Sequence, residues 1–517
     1  MGSLPDEQPA CCVKYYALGV VGANDPKFPL VLTSVEALPR LEADLVSLPY
    51  FGSPTGIVDR FDRLTGGRLA RLLASGEAKP DAGSVAVVHV DGVRAERIAL
   101  VGVGDAGELD ADGIRTGAAA AARAAAPLGG RLAWVVDDAM ALSGEEQVRA
   151  VVEGVLLGGY DAGHWKTSRR AARLERLFLA GAPENGEGVA ARAEVVARWT
   201  NHARELVDGP PNEVTPSGLA DAARRLLGPT DAAVEVLGKS ELDRLGLRAL
   251  TAVGGGSVNA PRLIVLRSGG SGEVLGLIGK AITFDSGGLF LKRQEDIVRQ
   301  KADMGGGAAV IAAVGAVAEL GLPLGLLGVV PAAENMIGGG AYRPGDIVTT
   351  AAGLTVEVTN PDAEGRLVMA DALWYARQHG ATRLIDIATL TGGMRAGMGD
   401  LYSGVFANDV GLQNALIAAG AASGDHAWPW PLHRRYRRLL DSQLADLRNT
   451  AGRSFGYPII AATFLERFVG QLPWAHIDIY STAYLDEERD YFRRGATGAG
   501  VRLLVELVDR FSSASER

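Results

Sequence analysis

Short, nearly unbroken apolar runs alternate along this chain with longer segments whose apolar residues recur every three or four positions. In the first third, residues 84–90 and 97–103 are runs of strand length. An alanine-rich stretch at 112–126 reads as a helix, 131–136 as a strand, 144–157 as a second helix and 174–180 as another strand. Such alternation predicts a sheet layered by helices. Residues 181–188 (Gly-Ala-Pro-Glu-Asn-Gly-Glu-Gly) form a breaker-rich linker. The domain boundary is placed there, giving domains 1–186 and 187–517. The second part repeats the pattern, with strands expected at 262–267, 274–282, 324–330, 355–359 and 383–388. Its helices are expected at 189–207, 306–320, 367–378, 461–469 and 500–510. Both parts therefore read as α/β, with no repeat of solenoid period.

Composition narrows the class. A chain of 517 residues suits two or three domains, and 47% hydrophobic with 22% charged residues is ordinary for a globular protein. The net charge of −9 argues against a nucleic-acid or anionic-membrane surface. Cys11 and Cys12 are the only cysteines and do not make a disulfide framework, so a reducing compartment is the default. The N-terminus lacks a basic segment followed by a long apolar run. No stretch reaches the roughly 18 apolar residues of a membrane span, and Asp6 stands where a myristoylation motif wants Ser or Thr. The expectation is a cytoplasmic protein without a membrane.

Several familiar motifs can be weighed and set aside. Gly102-Val103-Gly104-Asp105-Ala106-Gly107 fits G-x-G-x-x-G between a strand and a helix, and Asp137 and Asp138 end the next strand. The acidic run that follows, Glu108 to Asp112, would repel a pyrophosphate, so a tight structural turn is the better reading and no cofactor is assigned. The seven histidines show no metal-binding spacing, and His476 reads as a satisfied core residue. Neither a G-x-S-x-G elbow nor a P-loop is present.

Two charged clusters remain. Asn360-Pro361-Asp362-Ala363-Glu364-Gly365-Arg366-Leu367 packs two acids and an arginine into five residues. Upstream lie Lys280, Asp285, Lys292 and Asp303, in apolar and glycine-rich surroundings. Three of the eight lysines fall between 280 and 301. A lone lysine at a strand end usually snorkels to water, but here acids follow at once. Charges so close to core-forming sequence need partners, and a pair of divalent cations is the natural one. A lysine beside metal-bound acids can lose its proton and serve as a nitrogen ligand.

Residues 279–288 (Gly-Lys-Ala-Ile-Thr-Phe-Asp-Ser-Gly-Gly) and Asn360 to Leu367 together resemble the leucyl (cytosol) aminopeptidases, two-metal lysine-and-carboxylate exopeptidases. Further matching segments begin at Asp208, Asn259, Pro331, Tyr342, Asp386 and Trp474, so the resemblance covers about residues 195–510. It implies a small macro-like α/β domain, then a larger catalytic domain with a mixed central sheet flanked by helices. It implies that Lys280, Asp285, Asp303 and Glu364 hold a tighter metal. Asp285, Asp362 and Glu364 would hold a second, more exchangeable one. Zn2+, Mn2+ or Mg2+ are the expected ions. Lys292 would polarise the scissile carbonyl, and Arg366 would bind a bicarbonate that replaces a general-base side chain. Peptide or dipeptide substrates and a homohexamer are further implications.

The chain departs from that family around the first-residue pocket. Pro361 stands where Thr is common, and Arg293 where Pro is common. Gln300 replaces the usual methionine three residues before Asp303, and Tyr480-Ser481 replaces Ala-Gly after Asp478-Ile479. With Thr389, Leu390, Gly392 and Ala483, the residues Gln300 and Tyr480 would form a pocket smaller or more polar than a leucine pocket. If Tyr480 points away, ordinary broad specificity survives. Rival functions are a specialised biosynthetic or cysteinylglycine-type dipeptidase, and a binding or regulatory protein that keeps the fold.

Overall fold

The computed structural model describes residues 14–15, 30–168, 174–270, 272–453 and 455–515. Cys11, Cys12 and the segment around Asp6 lie outside these residues. The chain divides into two compact units, one comprising Met1–Ala197 with Glu488–Arg493, the other Arg198–Glu487 with Arg494–Arg517.

In the first unit a seven-stranded sheet runs in the order Lys14–Tyr15, Leu30–Thr33, Arg176–Ala180, Arg131–Val135, Leu45–Tyr50, Arg97–Gly102, Val85–His89. Its five inner strands are parallel and both edge pairings antiparallel. The hydrophobic pattern does not mark the central strand Leu45–Tyr50, because Ser47 and Pro49 interrupt it. Burial on both faces nevertheless holds it in place. The alanine run forms the helix Ala111–Ala125, which packs on the helix Gly144–Gly158. Small residues permit this approach: a Cβ on Gly154 would lie 2.3 Å from the Arg115 carbonyl oxygen, and one on Gly158 2.3 Å from Ala119 Cβ. Of the glycine motif, Gly102 is accounted for in the same way, while Gly104 and Gly107 have open space around them. A Cβ on Gly102 would fall 2.1 Å from the Asp81 carbonyl oxygen, so the chain's own loop fills the space beside that turn.

The second unit is built on a nine-stranded mixed sheet. Its path is Ala427–Pro429, Ser403–Ala407, Trp474–Asp478, Arg383–Ala388, Val274–Gly279, Gly325–Asn335, Arg262–Ser268, Ala233–Leu237, with Ala281–Asp285 paired beside Gly325–Asn335. The four strands from Trp474–Asp478 to Gly325–Asn335 are parallel, and antiparallel pairs lie outside them. The apolar run 274–282 is thus two strands rather than one. At Lys280 the backbone N–H donates to Ile387 O at 3.0 Å and the carbonyl accepts from Gly307 N at 2.6 Å, which ends one pairing and starts another.

Helices Gly305–Glu319 and Gly365–Gln378 pack on the sheet. Gly306 has no room for a side chain: a Cβ there would sit 2.1 Å from Ile387 O, so the helix start presses onto the strand ends. The stretch Gln294–Glu319 is long and apolar enough to cross a membrane by length and composition, but 89% of its apolar window is buried inside the protein. The expected helix 461–469 begins earlier, at Tyr457–Leu465, because Pro458 suits a first turn. The linker is shorter than expected, since the helix Gly186–Asp208 starts within it.

Candidate metal centre

The carboxyl ends of the central parallel strands deliver the site. Lys280 follows Val274–Gly279, Asp285 ends its strand, Asn335 ends Gly325–Asn335, and Thr389 follows Arg383–Ala388. Open α/β sheets place ligands at such ends. Asp303 precedes the helix Gly305–Glu319. Asp362 and Glu364 come from the loop between Thr355–Glu357, a strand of a separate three-stranded sheet, and the helix Gly365–Gln378.

Six charged side chains converge. Lys280 Nζ donates to Asp303 Oδ1 at 2.8 Å and lies 2.9 Å from Glu364 Oε1. Lys292 Nζ lies 2.7 Å from Asp285 Oδ2 and 2.5 Å from Asp362 Oδ1. One oxygen each from Asp285, Asp303 and Glu364 lie within 4.8 Å of one another. The glycine between Glu364 and Arg366 now has a reason: a Cβ on Gly365 would lie 2.5 Å from Lys280 Cε, so only glycine lets that lysine pass.

The electrostatics are unbalanced. Four carboxylates face two ammonium groups, all buried except Lys292 and Asp362, which are partly open. Burial, with repulsion from neighbouring acids, pushes Asp285 and Asp303 above the ordinary carboxylate range. The same causes push Asp362 up to about 7. For Glu364 burial acts likewise but is outweighed by Lys280 and Lys292, which leave it below its usual value. Burial works against both lysines, yet the surrounding acids hold them above the ordinary lysine range. Glu364 Oε2 has no hydrogen-bond partner among the described residues. An oxygen-rich set with excess negative charge and an orphaned carboxylate oxygen suits hard or borderline divalent cations.

Arg366 is buried beside this cluster. Its Nη1 donates to Asn449 O at 2.8 Å, its guanidinium lies 5.5 Å from the Tyr457 ring centroid, and its Nε has no partner among the described residues. Burial lowers its pKa from the usual guanidinium value.

The expected pocket residues are partly gathered. The Tyr480 ring turns toward Gly392, where a Cβ would meet it at 3.6 Å. Thr389 and Ala483 converge on Gly305, each 3.5 Å from a Cβ placed there. Thr389 Oγ1, however, donates to Asp303 Oδ1 at 2.8 Å, so its polar end serves a carboxylate. Leu390 N and Tyr480 N both donate to Asp478 Oδ1, at 3.2 and 3.1 Å. Gln300 is buried, and its Nε2 donates to Asp296 O at 3.0 Å within its own turn. His476 is only half satisfied. Its Nδ1 is 2.5 Å from Asp386 Oδ1, while Nε2 has no partner among the described residues.

Sequence reasoning gives no role to Asn449, Asn335, Tyr342 or Asp478, although all four hold the site's loops. Asn449 Oδ1 accepts from Thr359 N and Asn360 N, and its Nδ2 donates to Asn360 O at 2.7 Å. No local pattern marks such residues, because their partners lie far along the chain.

Residues 201–505 match the model of the cytosol aminopeptidase family catalytic domain, and residues 52–169 that of its N-terminal domain. A probable cytosol aminopeptidase of Solibacter usitatus is 41% identical over 91% of this chain and 97% of its own length. One from Syntrophotalea carbinolica is 43% identical over 81% and 86%. Among solved structures, the bottromycin maturation enzyme BotP in complex with Mn matches with a TM-score of 0.82 and 36% identity, over 91% of this chain and all of that one. On the strength of these matches and of the carboxylate–lysine centre, the chain belongs to the cytosol aminopeptidase family and is a metal-dependent exopeptidase, a hydrolase.

Proposed function

We propose that this protein removes the N-terminal residue of peptides or dipeptides. In this reading Lys280, Asp285, Asp303 and Glu364 would hold a tighter divalent cation and Asp285, Asp362 and Glu364 a second one, with Asp285 and Glu364 serving both. The observation that carries the reading is the convergence of six charged side chains with a Glu364 oxygen that has no hydrogen-bond partner among the described residues. When bound, two such cations supply an acidified water and a clamp for the charge that develops during hydrolysis. Lys280 would serve the tighter cation as a neutral amine nitrogen, its proton lost to solvent, beside Asp303 and Glu364. Lys292, the more exposed lysine, places its ammonium where the carbonyl oxygen gains negative charge, an effect of about 3–4 kcal/mol on the barrier. Arg366 would hold a bicarbonate at its Nε, which has no partner among the described residues, and that ion would supply the general base in place of a side chain.

The pocket for the first side chain is formed by Gln300, Thr389, Leu390, Gly392, Tyr480 and Ala483. Supporting a narrower cavity, the Tyr480 ring packs toward Gly392 where the family has alanine. Leucine is therefore not the preferred residue. A second reading, a specialised biosynthetic peptidase, draws on the likeness to a bottromycin maturation enzyme. A cytoplasmic homohexamer completes the proposal.

EDTA is expected to abolish hydrolysis of aminoacyl anilides, and Zn2+ or Mn2+ to restore it. Lys292→Ala should lower kcat by about a hundred- to a thousandfold; full activity would remove Lys292 from its role. A panel of aminoacyl anilides and dipeptides tests the pocket. Leucine and methionine substrates outrunning small and polar ones by a wide margin would sink the altered-pocket idea. A single strongly preferred peptide would favour the biosynthetic reading over broad turnover.

A further inference from the structure

We propose that Asn335 and Tyr342 are positioning residues that lock the Pro361–Asp362 peptide and thereby set the affinity of the second cation position selectively. The inference rests on the ligand assignment above.

Asn335 is fully buried at the end of the strand Gly325–Asn335. Its Nδ2 donates to Asp285 Oδ1 at 2.9 Å and to Pro361 O at 3.0 Å, so one amide ties together the two segments that carry ligands. Its own carbonyl accepts from Ser286 N at 3.0 Å and Ser286 Oγ at 2.8 Å, which fixes it from the other side. Tyr342, whose ring belongs to the core of this unit, donates its hydroxyl to the same Pro361 O at 2.6 Å. On the far edge of that peptide, Asp362 N donates to Asn360 Oδ1 at 2.8 Å. Both polar ends of the peptide are bound, and the ring of Pro361 fixes φ on its N-terminal side. The peptide plane has no free rotation left. Gly288 makes room for the arrangement, since a Cβ there would lie 3.0 Å from Asn335 Oδ1 and 3.2 Å from Pro361 Cβ.

This clamp matters most for Asp362. With a third of its side chain exposed, it is more open than Asp285, Asp303 or Glu364, and Lys292 is its ion-pair partner. Its carboxylate is aimed chiefly by its backbone. By contrast, Asp303 is held through its side chain by Lys280 and Thr389. Asn335 and Tyr342 therefore support Asp285 and Asp362, which are shared with or belong to the second position. They bond neither Asp303 nor Glu364 in the hydrogen bonds that define the cluster. Loosening a group that orients a ligand lowers metal affinity by about ten- to a hundredfold. Because both donors share one acceptor, their effects should not add.

The test is calorimetric titration of metal-free protein with Mn2+, alongside its thermal midpoint. Asn335→Ala is expected to weaken the weaker of two Mn2+ affinities by about ten- to a hundredfold and the tighter one by much less, since it also frees Asp285, which serves both. Tyr342→Phe, which keeps the ring and the packing, should show the same selectivity at smaller size. It keeps the question answerable if Asn335→Ala does not fold. The double variant should lose less than the two single losses combined. Unchanged weaker affinities with two sites still present would overturn the clamp. So would an equal fall in both affinities with a lower midpoint in the metal-free protein, the signature of general loosening. Asp362→Ala, run in parallel, separates the two levels: if it leaves both affinities intact, the ligand assignment itself fails, and the clamp with it.

Discussion

In the first unit Arg115 donates to Glu153 at 2.6 Å and to Asp112 at 2.8 Å, and Arg149 donates to the other Glu153 oxygen at 2.9 Å. Two acids meet two arginines across a helix pair, with Arg115 and Glu153 fully buried. In the second unit four acids meet two lysines, and Glu364 Oε2 has no hydrogen-bond partner among the described residues. Both groups are charges folded into a protein interior. The first is neutralised by the chain itself, and removing Glu153 takes from the buried Arg115 its 2.6 Å partner. The second is incomplete by design of its composition, and needs a cation from outside. Burial alone does not distinguish a structural ion pair from a reactive centre; the charge balance does.

The contrast can be broken most sharply at its two glutamates. Glu364→Ala should lower kcat by at least about a thousandfold, roughly 4 kcal/mol of barrier. The midpoint of the metal-free protein should change little, because the pairing lost with Lys280 is set against the burial cost and acid–acid repulsion that go with it. Glu153→Ala should do the reverse, leaving kcat intact while costing up to about 3–5 kcal/mol of stability by breaking the buried pair with Arg115. Chemical denaturation and steady-state kinetics on both variants measure this. A destabilised Glu364→Ala or an inactive, stable Glu153→Ala would erase the distinction.

A smaller effect sharpens it. Mn2+ at a hundred times its dissociation constant should stabilise the metal-free protein by about 2.7 kcal/mol. Hydrogen exchange should locate the gain at the strand ends around Lys280, Asp285 and Asn335, and leave the helix Ala111–Ala125 unchanged. Protection spread equally over both would show that the two charge groups respond alike.

The smallest expected effect concerns a half-exposed pair in the first unit. Arg131 donates three bonds to Asp44, two from its guanidinium at 2.6 and 3.1 Å and one from its backbone N–H at 2.9 Å, and these hold the Asp44 carboxyl below its ordinary value. A lowered folded pKa gives stability above the unfolded value of about 4, lost as pH falls through the folded value. Screening by solvent keeps the contribution near 1 kcal/mol or less. Asp44→Ala should therefore cost that amount at pH 7, and the difference should close below about pH 4. A gap that persists in acid would mean the side chain contributes packing rather than charge.

Much of the site was legible in the chain because its residues cluster in sequence. Lys280 to Asp303 and Asp362 to Arg366 are short segments, and their density of charge amid apolar sequence stands out without a structure. Strands such as Arg262–Ser268 and Arg383–Ala388 were equally plain, being apolar runs bounded by breakers. What escaped had no local signal. Leu45–Tyr50 carries Ser47 and Pro49, and only its neighbours on both sides make it a central strand. Asn335, Tyr342 and Asn449 are single polar residues whose side-chain partners lie 19 to 90 positions away. The break at Lys280 was hidden for a related reason: it is made by backbone bonds to Ile387 and Gly307 and not by a local breaker.

By itself the sequence determined the alternating elements, the supply of four acids, two lysines and an arginine, and the family those residues belong to. These follow from hydrophobic periodicity and from residues close together along the chain. Only the tertiary structure decided that the two charged segments meet, that Gly365 must be glycine for Lys280 to pass, and that Asn335 and Tyr342 hold the peptide before Asp362. Those facts depend on which strand ends lie side by side, and side-by-side placement comes from long-range burial and backbone pairing that no local stretch encodes.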